Sequence, residues 1–262
     1  MDLKLFFDPI DETFNIKKLP SSALAHSIYI NQKEMPEIGH HDIAIIGIKE
    51  PRGAEADHQK GIEGGADEVR RKLYELKKGT GTVKILDLGN FRNGPELGDT
   101  YLRLKEVCAF LMSHNILPLL IGGSHNVDLG QFYAYEDQEK LITLLNIDSH
   151  LDLDDPKTGI ASRSHIHHIF KHDPNYLFNY YHLAHQSYLI ELGEAELMEK
   201  LGFEAIRLGV VKENIKEMEP VVRDADMLFM NKLGAGGGVR QLGGLTLQVA
   251  EWAPAPNNSF HA

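Results

Sequence analysis

The stretch Leu141-Ile142-Thr143-Leu144-Leu145-Asn146-Ile147-Asp148-Ser149-His150-Leu151-Asp152 decides how this chain is read. Its first half, Leu141 to Ile147, is a short and mostly apolar run of strand length. A run that is apolar at successive positions, rather than alternating, suits a strand covered on both faces, as in a parallel sheet. Its second half turns polar at once, with Asp148, His150 and Asp152 at alternate positions. Alternation predicts that the three side chains share one face if the strand stays extended. In open α/β sheets, ligands gather beyond the carboxyl ends of the strands, where these residues fall.

The same pattern repeats on either side. Ile43 to Ile48, Val83 to Leu88 and Ile116 to Ile121 read as buried strands, and Ala205 to Val211 and Met227 to Met230 as weaker ones. Between them, Ala66 to Lys78, Tyr101 to His114, Glu194 to Leu201 and Glu213 to Glu219 carry helical patterns. Leu104, Val107, Cys108 and Leu111 fall at i, i+3, i+4 and i+7, so Cys108 reads as a core residue. Alternating strands and helices imply right-handed crossovers and an α/β fold of three layers, αβα, around a mostly parallel sheet. The reading is a single domain over residues 1–262. Residues 1–40 form an irregular N-terminal extension, and residues 233–262 a Gly/Pro-rich, incomplete C-terminal part with loop or disorder expected.

Composition narrows the classes. With 42% hydrophobic and 25% charged residues, the chain resembles an ordinary globular domain. The formal net charge of −11 argues against binding to nucleic acid or anionic membranes. No apolar stretch approaches the ~20 residues that span a bilayer. One cysteine excludes an intrachain disulfide, and a cytoplasmic setting is expected.

A second strand end, Ile121-Gly122-Gly123-Ser124-His125-Asn126, presents His125 after a glycine turn. It is no phosphate loop, because the longer glycine pattern and the lysine are missing. His125 with Asp148, His150 and Asp152 supplies two imidazoles and two carboxylates. That mixture suits manganese, zinc or iron better than calcium or magnesium.

Here the resemblance to a family becomes specific. Gly122-Gly123-Ser124-His125 resembles the Gly-Gly-Asp-His motif of the ureohydrolases (arginases, agmatinases and formimidoylglutamases). Asp148-Ser149-His150-Leu151-Asp152 resembles their Asp-Ala-His-x-Asp motif, and Gly64-Gly65-Ala66 before Arg70 and Arg71 their Gly-rich entry to the first helix. The resemblance runs from about Ile43 to Met230. It implies an arginase-like fold, a two-Mn2+ centre and hydrolysis of a small-molecule linear amidine or guanidine at its C–N bond. It implies His125, Asp148, His150 and Asp152 as metal ligands, with Asp148 bridging. His165, fifteen residues after His150, stands where arginases hold a proton-shuttling histidine. Family members commonly form homo-oligomers.

Two departures accompany the resemblance. Ser124 replaces the usual aspartate. The third motif, Ser-x-Asp-x-Asp, is not met: the best register puts Asn231 and Leu233 at its aspartates, and a shifted one puts Leu233 and Ala235 there. The alternative reading is therefore a non-catalytic member with a degenerate metal site, retained for binding or assembly. Asn126 and Arg163 lie near the motifs and read as solvated loop residues rather than substrate contacts.

Overall fold

The computed structural model describes residues 1–159, 161–231 and 246–250. Two short strands open the chain, β1 (Phe7–Asp8) and β2 (Ile28–Ile30). Strand and helix then alternate: β3 (Ile43–Ile48), α1 (Ala56–Glu75), β4 (Ile85–Phe91), α2 (Leu97–Ser113), β5 (Leu117–Gly122) and α3 (Asp128–Ala134). Next come β6 (Ile142–Ile147), α4 (His165–Lys171), β7 (Leu177–His185), α5 (Leu192–Leu201) and β8 (Glu204–Arg207). Helices α6 (Leu208–Glu213) and α7 (Glu219–Asp224) precede β9 (Met227–Asn231) and β10 (Thr246–Ala250).

The strands form one sheet in the order β1-β4-β3-β5-β10-β9-β6-β7-β8, with β2 also on β4. Pairing is parallel between β4 and both β2 and β3, between β3 and β5, and through β9, β6, β7 and β8. It is antiparallel where β1 meets β4 and where β10 lies between β5 and β9.

Alternate side chains of the strands separate two layers of helix. Ala44, Ile46, Leu86, Leu120, Leu144 and Phe229 join a core with Leu104, Val107 and Leu111 of α2, Ile166 and Ile169 of α4, and Met198 of α5. On the opposite face, Ile45 and Ile121 pack with Ala66 of α1, and Leu145 and Leu183 with Met218, next to α7. This is the three-layer αβα arrangement. Cys108 is fully buried within the first core.

Several local expectations need correction. The N-terminal stretch, mostly without α-helix or strand, is not confined to the surface. Leu3, Phe7 and Ile10 are buried, and β1 and β2 extend the sheet edge. Gly64 and Gly65 do not open the first helix but lie inside α1, which starts at Ala56. The strand expected over Ala205 to Val211 stops at Arg207 and turns into α6, since a short apolar run fits either element. The helix expected from Glu213 begins instead at Glu219, after a 3-10 turn, with Pro220 in its first turn. In the Gly/Pro-rich tail, residues 246–250 form β10, and the rest lies outside the described residues. On β7, Tyr180 packs in the core against Phe170 and Phe203, whereas Phe178 is exposed. No helix among the described residues is long and apolar enough to cross a membrane.

Candidate metal centre

The ends of β5 and β6 build the site. At the end of β5 the backbone turns through Gly122 at φ 85° and Gly123 at φ 81°, a region that favours glycine. A Cβ on Gly122 would stand 2.7 Å from the Ile48 carbonyl oxygen, so the turn also needs glycine for closeness. Ser124 donates both its main-chain N–H (3.0 Å) and its hydroxyl (3.1 Å) to the Glu50 carbonyl. The serine that departs from the motif thus fastens this turn to the end of β3. His125 follows, in a 3-10 turn, with its side chain 25% exposed.

Asp148 is the first residue past β6 and is 2% exposed. One carboxylate oxygen, Oδ1, accepts from the Ser149 N–H, the Ser149 hydroxyl (3.2 Å) and the His150 N–H (3.2 Å). The other, Oδ2, lies 3.4 Å from His125 Nδ1. Asp152 Oδ2 lies 3.1 Å from the same nitrogen. The ligand atoms of His125, Asp148 and Asp152 fall within 4.8 Å of one another.

The route to this convergence differs from the one expected. Strand alternation does not operate, because β6 ends at Ile147. Instead Asp152 adopts a left-handed backbone, φ 54°, which aspartate tolerates better than most residues. That turn brings its carboxylate to His125. His150 is not brought into the cluster: it is half-buried, and its Nδ1 lies 2.9 Å from the Ser149 hydroxyl.

His165 opens α4 and is fully buried rather than on the surface. Its Nδ1 lies 2.9 Å from the Ser162 carbonyl oxygen and 3.7 Å from Asp152 Oδ2. Its Nε2 lies 3.1 Å from Asp128 Oδ2. Burial alone would lower the pKa of His165. The nearby charges of Asp128 and Asp152 outweigh burial and raise it to about 9. For His125 burial again acts downward, and Asp152 and Asp148 raise the pKa above its ordinary value. His182, on β7 and fully buried, is pushed down to about 4 by burial.

Asp128 and His182 were not singled out in the sequence. Asp128 had a usable signal, an acid three residues after His125 at a helix start. His182 had only its polarity within a strand of aromatic and apolar residues. Asn126 is fully buried, not solvated, and donates to the Tyr101 hydroxyl at 2.7 Å. Arg163 is 47% exposed and pairs with Asp154 and Glu55. The third-motif position Asn231 ends β9, while Lys232, Leu233 and Ala235 lie outside the described residues.

One imidazole and two carboxylates converging in a largely buried pocket fit a single divalent ion of the manganese, zinc or iron group. Two buried carboxylates facing one nitrogen are a concentrated negative charge that such an ion would neutralise. The described residues assemble no second cluster of this kind.

Comparison with known proteins identifies the family and the fold. The Arginase family model matches residues 41–231. A formimidoylglutamase of Photorhabdus laumondii is 27% identical over 124 residues, which cover 45% of this chain and 38% of that protein. One of Staphylococcus carnosus is 26% identical over 197 residues, covering 72% and 60%. The crystal structure of Trypanosoma cruzi formiminoglutamase with Mn2+ shares the fold at a TM-score of 0.60 and 18% identity, covering 66% of this chain and 62% of that one. The chain therefore spans less than two-thirds of the length of these proteins. With its family model matched over residues 41–231 and its motif residues gathered at the ends of β5 and β6, this chain belongs to the Arginase family.

Proposed function

We propose that this chain is a metal-dependent hydrolase of linear amidines, of the formimidoylglutamase type. The observation that carries this reading is the convergence of His125, Asp148 and Asp152 beyond the strand ends. The names of the matched curated relatives support the substrate class. His125, Asp148 and Asp152 would hold one Mn2+, and His150, on the intervening loop, is the candidate ligand for a second. When bound, the metal supplies Lewis-acid chemistry and acidifies water toward neutral pH.

The chain's own residues have separate tasks in this reading. Asp148 Oδ1 is held by Ser149 and the His150 N–H, which orients Oδ2 toward His125. Asp128 and Ser162 hold the His165 ring beside Asp152. His165 is proposed as the imidazole that protonates the departing amine, since its Nδ1 is within 3.7 Å of Asp152.

The sequence at the third motif favours a second reading. Asn231 and Leu233 offer no bridging carboxylate, which fits a family member that binds one ion without turnover. Both readings are tested by measuring bound Mn2+ per chain together with hydrolysis of formiminoglutamate, arginine and agmatine. Formiminoglutamate turnover that is lost in Asp152→Asn supports the hydrolase. One bound ion with no turnover on any of the three supports the non-catalytic reading.

A further inference from the structure

We propose that His182 is a positioning residue for the metal-binding carboxylate Asp148, acting through a hydrogen-bond ladder that runs from Asn146 through Tyr180 and His182 to the Asp148 main chain. This inference rests on the metal reading of the site and deepens it.

The ladder is set by strand register. β6 and β7 are parallel, with Leu144 opposite Tyr180 and Asn146 opposite His182. Residues two apart on a strand point the same way, so Tyr180 and His182 share one face. All three side chains of the ladder are fully buried. His182 Nε2 lies 3.1 Å from the Asp148 carbonyl oxygen, and His182 Nδ1 lies 3.0 Å from the Tyr180 hydroxyl. The Asn146 amide donates to that hydroxyl at 3.3 Å.

Donor and acceptor chemistry gives the ladder a direction. A carbonyl oxygen only accepts, so Nε2 must carry the proton. In a neutral ring Nδ1 then accepts, and it accepts from the Tyr180 O–H. The Tyr180 oxygen in turn accepts from the Asn146 amide. Each link of the ladder thus donates toward the Asp148 carbonyl.

The consequence falls on Asp148. It is the first residue beyond β6. Its N–H donates to the Leu183 carbonyl at 3.1 Å, and its carbonyl accepts from His182. Both main-chain polar groups of this one residue are therefore fastened to β7. That fixes the direction of its Cα–Cβ bond and keeps Oδ2 turned toward His125. An apolar residue at 182 would fill the same space but remove the bond that ties the Asp148 carbonyl to β7. Both ring nitrogens of His182 are engaged, so it acts through Asp148 and is not itself a ligand.

The test is Mn2+ titration of the full chain, with free Mn2+ read by electron paramagnetic resonance. Loss of an outer hydrogen-bond partner typically weakens metal binding ~10–100-fold. His182→Leu is expected to weaken Mn2+ binding about tenfold or more. His182→Gln can offer its amide N–H to the Asp148 carbonyl and is expected to recover most of that loss. Tyr180→Phe removes the bonds to Nδ1 and from the Asn146 amide but leaves His182 on the Asp148 carbonyl, and is expected to weaken binding by a smaller factor. It also serves if His182→Leu does not fold. A purely structural role would lower the melting temperature of the metal-free protein and leave Mn2+ affinity unmoved. Wild-type affinity in folded His182→Leu, or in Tyr180→Phe where His182→Leu does not fold, overturns the proposal. If the wild-type chain itself binds no Mn2+, the metal reading fails first, and that titration alone identifies the failure.

Discussion

Arg70 and Asp87 are joined by two N–H···O bonds of 3.0 Å each, and neither side chain reaches solvent. The guanidinium also donates to Asn90 at 2.6 Å and to the Gly89 carbonyl at 2.7 Å, and the Tyr74 hydroxyl donates to Asp87 at 2.8 Å. Helix α1 is thereby fixed to β4 by a charged cluster inside an otherwise apolar layer. Removing the arginine leaves a buried carboxylate without its counter-charge, which typically costs about 3–5 kcal/mol. Arg70→Met is expected to lose roughly that much stability in urea denaturation. Arg70→Lys is expected to be strongly destabilised too, because an ammonium cannot reproduce the two-point contact. Wild-type midpoints for both would show that the cluster contributes little.

The proposed metal site predicts a stability increment that depends on ligand. An ion that binds only the folded chain stabilises it by about 2.7 kcal/mol at one hundred times its dissociation constant. Mn2+ is therefore expected to raise the melting temperature of the wild-type protein in a concentration-dependent way, and a chelator to reverse the shift. Asp152→Asn isolates the charge, since asparagine also tolerates the left-handed backbone found at φ 54°. In that variant the Mn2+-dependent shift is expected to disappear while the metal-free melting temperature changes little. A retained shift would remove Asp152 from the ligand set.

Cys108 should behave as an inert core residue. It is fully buried, and burial pushes its thiol pKa up, so the reactive thiolate is scarce. A water-soluble disulfide reagent is expected to leave Cys108 unmodified in the folded protein and to modify it stoichiometrically in urea. Rapid labelling under native conditions would contradict this placement.

What the sequence revealed, and what it hid, follows from the range of the interactions. Strands β3, β4, β5 and β6 were legible because each is a short apolar run that a two-sided sheet needs. His125, Asp148 and Asp152 were legible because each falls just after such a run. How the two aspartates meet was not, since a single left-handed residue at Asp152 replaced the alternation that an extended strand would have imposed. The partner His182 was hidden for a different reason. Its role depends on which strands are neighbours, and a local pattern cannot state that. The N-terminal strands β1 and β2 are too short to carry a period at all. Strand β10 escaped notice because glycine-rich surroundings masked its five residues.

The loop after β3 gives a test of how tightly the site is enclosed. Gly53 lies against Asn126, and a Cβ added to Gly53 would stand only 1.7 Å from Asn126 Oδ1. The Gly53 carbonyl also accepts from the Ser162 N–H at 2.8 Å, so this loop touches both the His125 turn and the loop that holds His165. Gly53→Ala must therefore displace a fully buried amide next to His125, the proposed metal ligand. Overpacking of this kind costs about 1–3 kcal/mol. Asn126→Ala removes the clashing amide at its own cost, including the bond to Tyr101. If the contact is as close as it stands, the double variant is less destabilised than the sum of the two single ones. Urea denaturation of the four proteins measures that coupling, which for touching residues is about 0.5–3 kcal/mol. Strict additivity would mean that the Gly53 loop moves aside without resistance, and that the site is not held closed from this side.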